Sequence, residues 1–331
     1  MSERLHALTA WLRGQLALPE FDLEPASADA SFRRYFRVRL GDRSWIAMDA
    51  PPEREDCRPF VRVAAMLRDA GLNAPEVLAM DLARGFLLLT DLGTRTYLDV
   101  LDERNADDLY GDAIDALVRW QRASRPDMLP PYDRALLRRE LELFPEWYLA
   151  RHLGVELSRA ERATLDGIFT LLEDSALAQP QVYVHRDYMP RNLMVSDPNP
   201  GVLDFQDAVF GPVTYDILSL LKDAFLSWDE ARVVAWLARY RAAARAAGIP
   251  LPAEEADFRR AFDWMGMQRH LKVLGIFARL CYRDGKRGYL EDTPRFLRYV
   301  RETGTRYREF TPLLRLLDAC EVRAAAVERA P

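Results

Sequence analysis

Lysine is almost absent from this chain. Only Lys222, Lys272 and Lys286 occur in 331 residues, although Lys and Arg together number 46. A codon-usage bias in the source genome is the plain explanation, but it has a chemical consequence. Before residue 222, no lysine is available for any role. Cysteine is equally scarce: Cys57, Cys281 and Cys320 are odd in number, far apart and without a C-x-x-C pattern. That excludes a disulfide framework and a zinc site and suits a reducing compartment. Cys281 and Cys320 read as packing residues. No glycine lies between Gly14 and Gly41, and no G-x-G-x-x-G occurs anywhere, so a Rossmann-type oxidoreductase is excluded. No stretch approaches the roughly 20 apolar residues of a membrane span. The opening "MSERLHALTAWLRGQL" has apolar residues at 5, 8, 12 and 16 between charges, which is an amphipathic helix and not a signal peptide. The net charge of −5 argues against a general nucleic-acid binder. A cytoplasmic protein with no membrane partner is expected.

What is present is enough for two sizeable cores, since 49% of the residues are apolar. "SFRRYFRVRL" and "GDRSWIAMDA" alternate and read as two strands joined at Gly41-Asp42. Residues 58–70 read as a helix ended by Gly71. "EVLAMDLARGFLLLTDL" gives two more strands with a turn near Arg84-Gly85. After Gly93 the pattern changes to helical spacing over 97–123, 134–152 and 156–174. A strand then ends at Val184, and a strand pair, "NLMV" and "GVLDF", flanks the turn "SDPNPG". From Tyr215 onward the chain reads as helix almost to its end. The expected fold class is α+β: a small strand-rich N-lobe over 1–92, a short crossing segment at 90–96, and a large, mostly helical C-lobe over 93–331. The expected ligand site is a cleft between them.

One stretch carries chemistry. In "VYVHRDYMPRNLMV" a crowd of polar groups interrupts two apolar runs, and folding alone does not require it. Asp187 and Asn192 stand five apart in H-R-D-x-x-x-x-N, and Asp204 follows twelve residues later in "VLDFQD". Phosphoryl transfer from a nucleotide uses such residue types: one carboxylate takes the proton of the attacking hydroxyl, while an amide oxygen and a second carboxylate hold magnesium. H-R-D alone is a short match, and Asp or Asn in loops are commonly turn formers. The fixed offset, the flanking strands and the following "LDF" make the joint pattern far more specific.

"VHRDYMPRNLMV…GVLDFQDAVFGPVTYDILSLL" resembles the catalytic core of the aminoglycoside phosphotransferase family, within the protein-kinase-like fold. The diagnostic motifs cover about 182–221, and the lobe layout covers nearly the whole chain. The resemblance implies ATP and Mg2+ as cofactors, Asp187 as catalytic base, and Asn192 and Asp204 as magnesium ligands. Asp216 in "GPVTYDI" is expected to be structural, as an N-terminal cap of its helix. "TDLG" resembles the lobe-crossing segment, so the backbone of Thr90, Asp91 and Leu92 is expected at the adenine.

Two features of the family are missing. The N-lobe lysine that meets the nucleotide phosphates is replaced, Met48 standing where it would be, and there is no glycine-rich phosphate loop. "ADASFRRYFR" must cover the phosphates instead, with Ser31, Arg33 and Arg34 as candidates, since arginine holds phosphate bidentately. The plain alternative is that both arginines are exposed strand residues. No carboxylate partner can be named; Glu53, Glu55 and Asp56 cluster just before the N-lobe helix.

Substrate choice is expected in the C-terminal helices. Residues 262–309 hold eleven Arg and Lys against six Asp and Glu. Arg269, His270 and Lys272 are the candidate substrate residues, against the alternative of an ordinary solvated face. The sign argues against a polycationic aminoglycoside or choline. "ASFRRYFRV", "IAMDAPPE", "HRDYMPRNLM" and "LDFQDAVFGPVTYD" together look like the anomeric sugar kinases of bacterial cell-wall recycling, which act at C1 of N-acetylmuramate and N-acetylglucosamine. A small-molecule sugar is therefore the expected partner. Other kinases of the same fold, and an inactive nucleotide-binding relative, are the alternatives. The joint retention of Asp187, Asn192 and Asp204 argues against the last.

Overall fold

The computed structural model describes residues 3–17, 20–28 and 32–328. Its contacts group the chain into two units, Met1–Trp120 with Pro190–Ala208, and Gln121–Met189 with Val209–Pro331.

The first unit opens with α1, Glu3–Leu16, which buries Leu8, Trp11 and Leu12 at the spacing of one helical face. Strands β1 (Asp22–Ala28), β2 (Arg34–Leu40) and β3 (Arg43–Asp49) follow. Helix α2, Arg58–Asp69, buries Phe60, Val63, Ala64 and Leu67. Strands β4 (Val77–Asp81) and β5 (Phe86–Thr90) complete an antiparallel sheet of order β1-β2-β3-β5-β4. The β2–β3 turn falls at Gly41, whose φ is +55°, and Gly71 takes +79° beyond α2. The α1 trio packs with Val38, Ala47, Phe86 and Leu88, so helix and sheet share one core. Strand β1 was not expected. "DLEPASA" lacks β-branched residues, and its Pro25 sits at a register shift of an edge strand, where sheet pairing overrides weak propensity.

The helical stretch expected over 97–123 is two helices, α3 (Tyr97–Val100) and α4 (Ala106–Arg122). Asp102 and Asn105 cause the break: Asp102 Oδ1 accepts from the amides of Arg104 and Asn105, and Asn105 Oδ1 accepts from that of Asp102. Such side chains offer the backbone an alternative to the helix ladder.

In the second unit, α5 (Arg134–Leu141) runs into a π-helical stretch, Phe144–His152, with Pro145 at its start. Helix α6, Arg159–Leu177, starts at a Ser158–Glu161 capping box. Strand β6 (Gln181–Val184) precedes two short strands of the first unit, β7 (Leu193–Met194) and β8 (Gly201–Val202), which pair as expected. The partner of β6 is β9 (Val209–Pro212), which the sequence pattern did not reveal. Then come α7 (Tyr215–Leu221), α8 (Glu230–Ala246), α9 (Glu255–Asp284), α10 (Thr293–Arg306) and α11 (Thr311–Glu328). Helix α9 is the axis of this unit. From Phe262 to Gly275 every residue is buried, polar ones included. A helix apolar on one stripe only would lie at the surface; this one is enclosed on all sides.

Gly275 permits that enclosure. A Cβ there would lie 2.3 Å from the carbonyl carbon and 2.4 Å from the carbonyl oxygen of Leu143. Alanine ordinarily favours a helix over glycine by about 1 kcal/mol, but backbone atoms cannot turn aside as a side chain can. Gly275→Ala is therefore expected to lower the unfolding free energy by about 2–3 kcal/mol, read from the urea midpoint at an unchanged slope.

Candidate active site

Asp187 follows β6 in the second unit, on a loop held from both sides. Asp216, fully buried in α7, accepts the His185 amide at 2.7 Å through Oδ2 and the Arg186 amide at 3.0 Å through Oδ1. This corrects the expected cap. Thr214 occupies the N-cap position of α7, and the Asp216 carboxyl is directed to the loop before Asp187 instead. Burial pushes its pKa up to about 7, against the pull of those two amides. Arg269 of α9 donates to the Arg186 carbonyl at 3.0 Å and to the Tyr215 hydroxyl at 3.2 Å, and its other terminal nitrogen lies 3.6 Å from Asp187 Oδ1.

A single carboxylate balances the remaining cations. Glu140 of α5 takes the Arg186 guanidinium at 2.5 Å, the Lys272 ammonium at 2.9 Å and the Tyr132 hydroxyl. Lys272 also donates to the Tyr215 hydroxyl at 3.0 Å. Burial would raise the Glu140 pKa, but Lys272, Arg186 and the Tyr132 hydrogen bond hold it down to about 2. For Asp187 burial acts upward and is outweighed by Arg269, Lys272, Arg186 and His185, so its pKa is lowered. The side chain keeps 39% of its surface exposed. Asp187 is thus an accessible anion at neutral pH, with the charge a base needs.

In the first unit the chain passes through a short turn, Pro190–Asn192, into β7. The Leu203 amide donates to the Asn192 carbonyl at 2.9 Å, which sets Asn192 beside Asp204. Asn192 Nδ2 and Asp204 Oδ2 are 3.3 Å apart, and Gln206 Nε2 donates to Asp204 Oδ1 at 2.9 Å. Asp204 adopts φ +61°, a left-handed backbone that costs a non-glycine residue and is common at functional sites. The donor chemistry fits magnesium. An amide oxygen and a carboxylate are hard ligands, and this ion keeps most of its coordination as water and phosphate. Among the described residues no group of three or more His, Cys, Asp or Glu is placed to hold a metal ion, so the two donors named here would leave most of the coordination to water and phosphate.

The other expected residues fall into distinct settings. Ser31 lies outside the described residues. Arg33 Nε is 3.7 Å from Glu55 Oε2, with 11% of the side chain exposed. Arg34 is bound to Asp49, which also takes Arg4 of α1. Asp49 is fully buried beside the buried Met48, and no local pattern had marked it. Thr90 ends β5 and accepts the Glu76 amide through its hydroxyl at 2.9 Å. The Asp91 carboxylate holds Arg37 at 2.7 Å and the Gly93 amide at 3.0 Å, so its side chain braces the segment Asp91–Gly93 that includes Leu92.

Of the three α9 candidates, Arg269 and Lys272 come together near Asp187, but His270 does not. It is packed against Phe296 and Tyr299, with neither ring nitrogen hydrogen-bonded. Burial holds its pKa well below the usual value. Nor is this helix face solvated, as the plainer reading had it; Gln268, Arg269, His270 and Lys272 are all buried. Sequence reasoning missed Glu140, Tyr132 and Tyr215. Glu140 left a trace, standing between Leu137 and Leu141 on the apolar face of α5, where an unpaired carboxylate would be costly.

Residues 22–258 match the model of the phosphotransferase enzyme family. The chain belongs to this family. Three relatives named N-acetylmuramate/N-acetylglucosamine kinase are similar over nearly their whole length. Those of Pseudomonas aeruginosa and Pseudomonas putida are 58% and 56% identical, each match covering 98% of both chains. That of Neisseria meningitidis serogroup B is 46% identical over 95% of both. Among solved structures, choline kinase LicA from Streptococcus pneumoniae superposes with a TM-score of 0.61 at 11% identity, covering 89% of this chain and 99% of that one. The ADP-bound aminoglycoside phosphotransferase APH(2'')-Ib gives 0.59 at 14%, covering 90% and 98%. At such identities the family's fold is what is shared, and it is the fold expected from the sequence.

The depressed pKa of Glu140 has a stability consequence. Its ionised form contributes fully above the unfolded value of about 4.3, and that contribution is lost as pH falls toward the folded value of about 2. The expected difference in unfolding free energy between the native protein and Glu140→Gln is about 3 kcal/mol near neutral pH. It should shrink as denaturation is repeated from pH 5 down to pH 2; a difference independent of pH would show that the charge of Glu140 is not what stabilises.

Proposed function

We propose that this protein is an ATP- and magnesium-dependent kinase that phosphorylates the C1 hydroxyl of N-acetylmuramate and N-acetylglucosamine in peptidoglycan recycling. The observation that carries the reading is 46–58% identity, over nearly full length, to three kinases named for those two sugars. The environment of Asp187 supports it. An anomeric hydroxyl is more acidic than an ordinary alcohol, so a carboxylate kept ionised and partly exposed can serve as its base.

In the proposed reaction the sugar O1 forms a bond to the γ-phosphorus as the bond to the β–γ bridging oxygen breaks. ADP leaves with that electron pair, and the hydroxyl proton passes to Asp187. Asn192 and Asp204 would hold magnesium, which when bound neutralises charge on the phosphate oxygens. Arg33 is the proposed cation for the nucleotide phosphates, with Glu55 as its carboxylate partner. Arg34 is the weaker candidate because Asp49 already engages it. The backbone of Thr90, Asp91 and Leu92 is proposed to meet adenine. Arg269 and Lys272 are proposed to face the sugar's reacting end, their charge partly matched by Asp187 and Glu140. A cytoplasmic site of action is part of this proposal; no helix among the described residues is long and apolar enough to cross a membrane.

The test is ADP release with ATP and magnesium on N-acetylmuramate, N-acetylglucosamine, kanamycin and choline. Turnover is expected on the two N-acetyl sugars alone, lost when C1 is blocked as a methyl glycoside and lost in Asp187→Asn. Turnover on kanamycin or choline instead would overturn the substrate. A second comparison separates the arginines. Arg33→Ala should raise the Michaelis constant for ATP about 10-fold with kcat changed less, as loss of a charge-assisted contact to the nucleotide predicts. Arg34→Ala should chiefly cost stability, about 1–3 kcal/mol, because a buried carboxylate loses one of two partners.

A further inference from the structure

Arg186, the residue immediately before the base, is held in an unusual way. Its backbone sits at φ +77°, a region that a side chain with a Cβ adopts rarely and at a cost. Its backbone and its side chain are both held. The amide donates to Asp216 Oδ1 at 3.0 Å, and the carbonyl accepts from Arg269 at 3.0 Å. The guanidinium reaches Glu140 Oε1 at 2.5 Å and lies over the Tyr132 ring, 5.9 Å from its centroid.

Glu140 is anchored independently of Arg186. It stands on α5 between the buried Leu137 and Leu141, and Gln268 donates to it at 3.3 Å. Tyr132 is itself fixed, its amide donating to the Phe210 carbonyl of β9 at 2.8 Å. The same carboxylate holds Lys272, which bonds Tyr215, which in turn accepts from Arg269, a cation 3.6 Å from Asp187. One buried carboxylate therefore reaches the base by two routes, through the chain at residue 186 and through the counter-charge of Arg269.

We infer that Glu140 is a positioning residue for phosphoryl transfer: by gripping the Arg186 side chain it keeps residue 186 in the left-handed backbone that aims Asp187, and through Lys272 and Tyr215 it seats Arg269 on that base. The inference rests on the assignment of Asp187 as base. Glu140 need not touch substrate or nucleotide for this role. A base displaced by about 1 Å can lose on the order of 100-fold in rate, so removing the grip should act on turnover and spare nucleotide binding.

The test compares Arg186→Ala with Arg186→Gly, alongside Glu140→Gln. Both substitutions at 186 remove the guanidinium, but only glycine adopts positive φ without a Cβ penalty. Arg186→Ala is expected to lose about 10- to 100-fold in kcat with the Michaelis constant for ATP changed less than about 3-fold. Arg186→Gly should turn over about 10-fold faster than Arg186→Ala, whereas loss of the charge alone predicts equal turnover by the two. Glu140→Gln should resemble Arg186→Ala in this split. If Glu140→Gln does not fold, the pair at residue 186 still decides. Equal turnover by the two variants at 186, or a loss confined to the Michaelis constants, would overturn the proposal. A native protein without turnover on either sugar is a failure of the kinase reading, and crystal structures then judge the positioning. Residue 186 should keep positive φ in Arg186→Gly and leave it, with the Asp187 loop displaced, in Arg186→Ala; an undisplaced loop in both would overturn it.

Discussion

The chemistry of the second unit depends on one buried carboxylate. Arg186, Arg269 and Lys272 bring three cations into a region with little water, where each would lose several kcal/mol of hydration. Asp187 offsets part of this, but the base role proposed for it requires it to stay exposed and free to take a proton. Glu140 carries the rest of the balance, joined by the hydroxyls of Tyr132 and Tyr215 as uncharged bridges. Without it, the cations gathered around Asp187 would repel one another or shed their charge. A half-satisfied network of this kind is worse than an apolar core, so its members must be present together.

A similar logic runs through the first unit with different residues. No lysine precedes Lys222, Met48 is buried on β3, and the neighbouring Asp49 is a buried carboxylate bound by Arg4 and Arg34. That pair of ion pairs ties α1 and β2 to β3 and leaves Arg33, with Glu55, in a separate arrangement. Positive charge at the start of β2 is thus divided between a structural and a candidate ligand-binding use. Arg37 and Asp91 form a third pair that braces the chain after β5.

How far this was legible in the sequence differs from element to element. The β2–β3 and β4–β5 hairpins, α1 and α2 were readable because their apolar periodicity and their glycines at positive φ are local signals. Strand β1 was not, since its residues have little intrinsic preference, and neither was β9, where Gly211 and Pro212 cut short the signal of Val209 and Phe210; each needs the edge of a partner strand. The helix breaks at Asp102–Asn105 and at Pro145 carried recognisable residues, yet apolar spacing continued across them and masked the breaks. At the site, Asp187, Asn192 and Asp204 stood out because their spacing along one loop and hairpin is a local property. The role of Asp216 was misread as a cap because the amides it meets lie some thirty positions earlier in the chain.

The sequence by itself determined the fold class, the family and the loop that carries the candidate base and metal ligands, since each is written in short-range pattern. Only the tertiary structure decided which charges meet. It turned His270 away from Lys272 although they are two apart, because neighbouring positions on a helix point in different directions. It brought Glu140 to Arg186 across forty-six positions of chain and gave Asp49 to Arg34 in place of a phosphate. Long-range pairing of buried ions depends on distance and dielectric in the packed interior, and neither quantity exists in a linear sequence.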